Sequence, residues 1–362
     1  MKLKLPLPLW TIAAPIFAWL VYAGISLDLG GLIYTFILAA GLIGAVLAAV
    51  HHAEVVAHRV GEPYGTLVLA LAITIIEVAL IVSLMLTGGP ETTALARDTV
   101  LAAVMIILNG IIGICILVGG AKYKEQVFSL NGASAALITL TAILVLSLIL
   151  PNFTTSRPGP FYTTAQLSFV AVVSLVLYGS FVLVQTIRHR DFFLPPEGED
   201  GNEDIHADPP SGKVAILSAV LLMVCLGIVV LLAKAIAPDI ERGIVNAGAP
   251  KSLVGVIIAG VVLLPEGLAA YRAARKNRLQ TSLNLSLGSA LASIGLTIPA
   301  VAIVSLVTGL TITLGIDMKS TVLLILSVFT IMLTLATGRT NILQGVVLLV
   351  IFAAYLFTII AP

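Results

Sequence analysis

The sequence predicts an all-α polytopic membrane protein: about eleven transmembrane helices, in two inverted five-helix repeats plus an extra N-terminal helix. Three observations predict it. The 362 residues are 59% hydrophobic and only 10% charged, where a soluble domain carries about 25% charged residues. Apolar runs long enough to cross a bilayer follow one another along the chain. Two of these runs each hold a single deep acid, Glu77 in the one and Glu266 in the other.

Taken in order, the spans fall at roughly 9–25, 31–50, 64–87, 99–119, 133–150, 166–187, 214–236, 252–271, 281–308, 320–337 and 341–361. Met1-Lys-Leu-Lys ahead of the first run also fits a signal peptide. The loop charges fit an uncleaved first span better. With the N-terminus in the cytoplasm, thirteen of the 19 Lys and Arg residues fall on the cytoplasmic side and six outside. An odd number of spans then puts the C-terminus outside.

Between the two sets lies LPPEGEDGNEDIHADPP, with six acids, four prolines and no Lys or Arg. It reads as a mobile cytoplasmic linker; it lacks the glycine geometry of a calcium-binding EF-hand loop. The chain therefore divides into an N-terminal helix at 1–30, a first repeat at 31–190, the acidic linker at 191–212 and a second repeat at 213–362. Five spans is an odd number, so the two sets start from opposite sides. Glu77 and Glu266 each sit in the second span of their set, the pattern expected of a secondary transporter with its site at the midplane.

Composition excludes other classes. A formal net charge of +1 argues against nucleic acid as a partner; membrane lipid, inorganic cations and protons are the expected partners, and no cofactor is implied. Cys115 and Cys225 lie in apolar runs and read as packing residues without a disulfide framework.

The candidate site residues follow from cost. A carboxylate in mid-membrane costs at least ~2.5 kcal/mol and usually has a function. Glu77 has Thr74 on the same helical face, three positions earlier. The pair reads as oxygen ligands for a cation, as a proton site, or as a structural acid bonded to a neighbouring helix. Pro265 precedes Glu266; a proline frees a backbone carbonyl, which at a broken helix can ligate a cation and otherwise marks an ordinary kink. Ser282, Ser286, Ser289, Ser293 and Thr297 form a hydroxyl stripe along one face of the ninth span. It reads equally as a polar wall or as close packing beside Gly288, Ala292 and Gly295. Asn109 precedes Gly110 and Gly113, so ligation and packing compete there too, and Asn284 is a similar lone carboxamide. HHAEVVAH puts His51, Glu54 and His58 on one face at the end of the second span. A proton-handling entrance and an interfacial polar cap both fit; the spacing is not that of a zinc protease.

These residues together resemble the calcium/cation antiporter superfamily, and within it the cation/proton exchangers, over nearly the whole chain. The family's Gly-Asn-x-x-Glu motif lines up with the stretch ending at Glu77, with Ile73-Thr74 in place of Gly-Asn. The second copy lines up with Leu263-Leu264-Pro265-Glu266, again without the Gly-Asn pair. The most specific match is KNRLQTSLNLSLGSALASIGLTIP, which carries the Gly-Ser motif as Gly288-Ser289. Asn109 matches the asparagine of the first repeat's partner helix, and Glu54 an acid ending the preceding span.

The resemblance implies an antiporter that exchanges cytoplasmic cations for protons by alternating access. Calcium is the expected main cargo, with sodium and potassium beside it. Glu77 and Glu266 are its expected metal ligands and proton sites; Glu54, Thr74, Asn109, Ser286 and Ser289 complete the cation- and proton-binding set. Calcium takes about six to eight oxygens, more than two glutamates supply. The alternatives are a sodium/calcium exchanger, a channel, and a membrane metalloenzyme on His51, His52 and His58. The linker is not expected in the ion path: deletion of Glu199 to Asp208 should leave cation/proton exchange intact in membrane vesicles. Loss of all exchange in a correctly inserted deletion variant would contradict that.

Overall fold

The computed structural model describes residues 7–27, 31–61, 64–88, 92–194, 210–248, 250 and 253–361. Most of the acidic linker, 195–209, therefore lies outside the described residues. Ten helices among the described residues are long and apolar enough to cross a membrane, and α3 (Tyr64–Gly88) adds a shorter apolar core at Leu71–Leu86. The chain is thus a multi-pass helical membrane protein.

Helices outrun the hydropathy at several ends. The second, α2 (Leu32–Val60), continues ten residues past the apolar run and carries the histidine-rich stretch within it. The eighth, α8 (Gly212–Asn246), likewise extends past its apolar run and through Pro238. Hydropathy marks where lipid begins and ends, whereas a helix goes on into the interface wherever its backbone bonds continue.

The chain forms two compact units, residues Met1–Leu84 with Ala207–Val254, and Met85–His206 with Gly255–Pro362. Each draws helices from both sides of the acidic linker. The first unit contains α1 (Leu9–Ala23), α2, most of α3, and α8. Its α2 packs against both α1 and α8. Gly41 makes the fit: a Cβ there would lie 3.6 Å from the Ala18 Cα and 3.6 Å from Leu232 Cδ1. Thr35 donates to Asp239 at 2.7 Å, tying α2 to α8 through a polar contact.

The second unit is built around one interrupted helix. α4 (Leu95–Met105) passes through a π segment (Ile106–Ile111) into α5 (Ile112–Tyr123). This span is 78% buried, against 22% for Thr164–Arg188, so it is the core and the latter faces outward. Around it stand α6 (Leu130–Leu144), α7 (Thr164–Leu183), α9 (Leu253–Arg275), α10 (Leu279–Thr308), α11 (Met318–Leu335) and α12 (Ile342–Ile360). Helix starts are defined chemically. Thr163 with Gln166, and Asn341 with Gln344, form capping boxes at α7 and α12, and Asp317 accepts from the Ser320 amide at 2.9 Å to open α11.

Two short strands, β1 (Glu125–Val127) and β2 (Arg339–Asn341), pair antiparallel beside the end of α5. Between them they turn Gln126 inward, where its side chain lies against the bare backbone of Gly119. Its amide nitrogen donates to the Ala274 carbonyl and to Asn277 Oδ1, both at 3.0 Å, which pins the turn between α9 and α10. Lys122 and Tyr123 add bonds to the Arg275 carbonyl at 3.2 and 3.0 Å.

At the opposite ends of these helices, the segment after α10 runs extended and buried. The amides of Thr313, Leu314 and Ile316 donate to the carbonyls of Thr93, Pro160 and Leu148, and Arg97 and Asn152 reach the carbonyls of Gly315 and Ile316. Nearly every backbone group in a buried extended segment needs such a partner.

α5 and α12 meet at small residues. A Cβ on Gly345 would lie 2.6 Å from the Leu117 amide nitrogen and 2.9 Å from the Gly113 carbonyl oxygen. Both are backbone atoms, so the helices themselves would have to part. Gly345→Ala should therefore lower stability by about 1–3 kcal/mol. Thermal unfolding of the purified protein in detergent reads this directly, with Gly260→Ala, where a Cβ meets nothing within 4 Å, as the neutral control.

Candidate functional site

Glu266 is buried to 8% exposure in α9. Helix α9 runs unbroken from Leu253 to Arg275, so Pro265 does not break it, contrary to the broken-helix alternative. Proline has no amide hydrogen, which leaves the Val261 carbonyl without its helical donor one turn before the acid. The neighbouring Gly267 lets α9 lie on the π segment: a Cβ there would sit 3.3 Å from Ile111 Cδ1. Ser289 of α10 donates its hydroxyl hydrogen to Glu266 Oε1 at 3.2 Å. A hydrogen bond to an ionised oxygen is stronger than a neutral one, so it orients the carboxylate without adding charge.

The rest of the stripe lies on the same helix. Ser282, Ser286, Ser293 and Thr297 are all at most 2% exposed. Ser282 engages the Cys115 thiol of α5. Ser286 Oγ and Thr297 Oγ1 are buried with no hydrogen-bond partner. The stripe thus divides: Ser289 serves the acid, Ser282 meets a thiol, and the Ser286 oxygen is buried without a hydrogen-bond partner. Asn284 belongs elsewhere, donating to the Phe193 carbonyl at 2.6 Å.

Asn109 lies in the π segment and is fully buried. Segments of this kind occur often at functional sites. Its amide nitrogen donates to Ser327 Oγ of α11 at 2.9 Å. Neither the π segment nor Ser327 follows from sequence patterns, because Ser327 is one of several hydroxyls in a span 218 positions away and nothing in the sequence singles it out.

The first unit holds the other acid. Glu77 and Thr74 are 5% and 4% exposed, both on α3 and one turn apart. Further along α2, the histidine-rich stretch separates. His52 is fully buried with Nε2 at 3.1 Å from the Thr11 carbonyl, and His51 lies against Trp10 with ring centroids 5.6 Å apart. Glu54 and His58 are exposed. Among the described residues, no group of three or more His, Cys, Asp or Glu side chains is placed to hold a metal ion.

Chemically, each unit presents one buried acid beside hydroxyl oxygens. Such a group is neutralised either by a proton or by a cation, and offers hard oxygen ligands to the latter.

Known proteins match this arrangement. Residues 29–187 and 216–361 fit the family model described as sodium/calcium exchanger protein. A protein of Sinorhizobium fredii named "Putative ionic transporter y4hA" is 45% identical over 98% of this chain and 97% of its own length. The sodium-potassium/proton antiporter ChaA of Escherichia coli is 36% identical over 89% of this chain and 87% of its own. Among solved structures, native YfkE superposes with a TM-score of 0.74 at 17% identity, covering 98% of this chain and 100% of that one. The H+/Ca2+ exchanger CAX gives 0.72 at 14% identity, covering 96% and 87%. At those identities the structures establish the fold, and the match across both halves of the chain establishes the kinship: this protein belongs to the sodium/calcium exchanger protein family.

Proposed function

We propose that the protein is a secondary antiporter that exports cytoplasmic cations in exchange for protons by alternating access, with calcium as main cargo and sodium and potassium as further cargo. The observation that carries this reading is Glu266, a buried acid in a membrane-spanning helix that accepts a hydrogen bond from the neutral hydroxyl of Ser289. A buried carboxylate can take up a proton or a cation, and cannot take both at once. That exclusion couples the two fluxes.

The ChaA relative, named as a sodium-potassium/proton antiporter, supports protons as the counter-ion over sodium. Sodium/calcium exchange is therefore the weaker reading. We place the protein in the inner membrane of a bacterial cell, with the N-terminus cytoplasmic and the C-terminus outside, on the loop-charge asymmetry and on its bacterial relatives. Glu77, Glu266, Thr74, Asn109, Ser286 and Ser289 are the residues we assign to cation and proton binding; Glu54, exposed on α2, serves at the approach. Everted vesicles, given calcium, sodium and potassium in turn, test the reading. Each transported cation should drive proton release; a voltage-dependent leak without proton coupling would establish a channel instead.

Ser289→Ala should raise the cation concentration for half-maximal exchange by roughly 10–100-fold, the worth of a hydrogen bond to a charged group. An unchanged value for every cation would reduce Ser289 to a packing residue. Glu77→Gln and Glu266→Gln each keep size and remove one titrating charge. Either should abolish calcium/proton exchange, since losing a charge-assisted contact in a poorly solvating site costs more than about a hundredfold in affinity. Residual activity should favour sodium or potassium and depend less steeply on pH. The Asp variants should be milder. Wild-type calcium flux and pH dependence in both Gln variants, at matched expression, would leave the acids purely structural.

A further inference from the structure

The carboxamide of Asn109 is held in one orientation by groups that the exchange reading does not use. Ser327 Oγ lies 2.7 Å from the Leu323 carbonyl, one turn earlier on α11, and donates its single hydrogen there. Its lone pairs are left to face Asn109. Met105, one turn before Asn109, sets its thioether sulfur 3.7 Å from the amide nitrogen and 3.5 Å from Ser327 Oγ. Thioether sulfur only accepts. Two acceptors therefore converge on one end of the amide, and that end must be the nitrogen. Turned over, Asn109 would set its oxygen against both: the thioether could not answer it, and Ser327 could do so only by withdrawing its hydrogen from the Leu323 carbonyl. All three side chains are fully buried, so water cannot step in. The consequence falls on the other end. Asn109 Oδ1 is buried with no hydrogen-bond partner, on the π segment that α9 touches beside Glu266.

We propose that Ser327 is a positioning residue for transport: it fixes the polarity of the Asn109 amide, so that a carbonyl oxygen and never an N–H is presented to the cation. This rests on the assignment of Asn109 to cation binding. An N–H at that place would repel cargo as strongly as the oxygen attracts it, so the lock bears on affinity for calcium and sodium alike.

Threonine and valine have the same shape and differ in the hydroxyl, so Ser327→Thr and Ser327→Val isolate it from packing. Calcium-driven and sodium-driven proton flux would be measured in proteoliposomes for both, for Asn109→Ala and for Asn109→Ala with Ser327→Val. Relative to Ser327→Thr, Ser327→Val should raise the half-saturating cation concentration about tenfold, the worth of one buried hydrogen bond, with a smaller change in maximal rate. In the Asn109→Ala background the same change should add nothing. Equal half-saturation in the Thr and Val variants would overturn the lock while leaving Asn109 as a ligand. An additive effect without Asn109 would also overturn it, since Ser327 would then act by another route. Wild-type affinity in Asn109→Ala alone would remove the assignment on which the inference stands, and the two failures are read from different variants.

Discussion

A carboxylate inside a bilayer-spanning helix is the constraint on which the rest of this structure depends. Lipid does not solvate it, so the protein must help to keep the group tolerable. For Glu266 that help begins with Ser289, and the bond requires α9 and α10 to hold one register over the 23 residues between the two side chains. Register is set at the turn. Gln126 grips it from the strand pair, and Gly119 gives Gln126 the room to lie there. A three-residue strand at the end of the helices thus belongs to the same polar system as an acid deep within them.

Lipid gives helices no hydrophobic reason to associate, so packing must come from shape and from polar contacts. The core span shows both. Gly113 and Gly345 bring α5 and α12 to backbone contact, while Asn109 and Ser327 join the π segment to α11. A π segment is less regular than an α-helix. It persists here because neighbours on several sides determine it, with Ile111 under Gly267, Gly110 against Phe352 and Asn109 against Ser327.

How much of this was legible in the sequence follows from the range of each signal. Spans are a property of consecutive residues, and the apolar runs marked each of those among the described residues. Their polar ends went unread at α2 and α8, because hydropathy reports the lipid boundary and the helix ends elsewhere. Glu77, Glu266 and the serine stripe were visible because a polar residue in an apolar run is conspicuous by itself. What the stripe does was not visible. Ser289 and Ser286 are one turn apart on one face, yet one bonds the acid and the other is buried without a hydrogen-bond partner, a distinction made by α9 and not by α10. Ser327 and Met105 were beyond reach, since one serine among several hydroxyls and a methionine in an apolar span carry no signal until a distant asparagine meets them. The broken helix at Pro265 was a reasonable local inference, and α9 continues because one missing amide costs it a single bond.

The choice of serine as a partner of Glu266 has a consequence for exchange. Lysine or arginine would hold the carboxylate in its charged form and resist any proton. An aliphatic neighbour would hold it neutral and resist any cation. A hydroxyl is both donor and acceptor. While the carboxyl is ionised, Ser289 donates to it. Once the carboxyl takes a proton, the acid can donate and Ser289 can accept, with neither heavy atom displaced. The bond survives in both protonation states and only its direction reverses. An antiporter's acid must be stable in each state long enough to carry its load, so a partner indifferent to charge suits it better than a stronger one. Ser327 stands at the other extreme. Its hydrogen is committed to its own helix, its lone pairs face a group that never titrates, and the direction of that bond is fixed. Two serines on neighbouring helices of one unit thus do opposite things with the same hydroxyl, and what separates them is whether a backbone carbonyl has already claimed the proton.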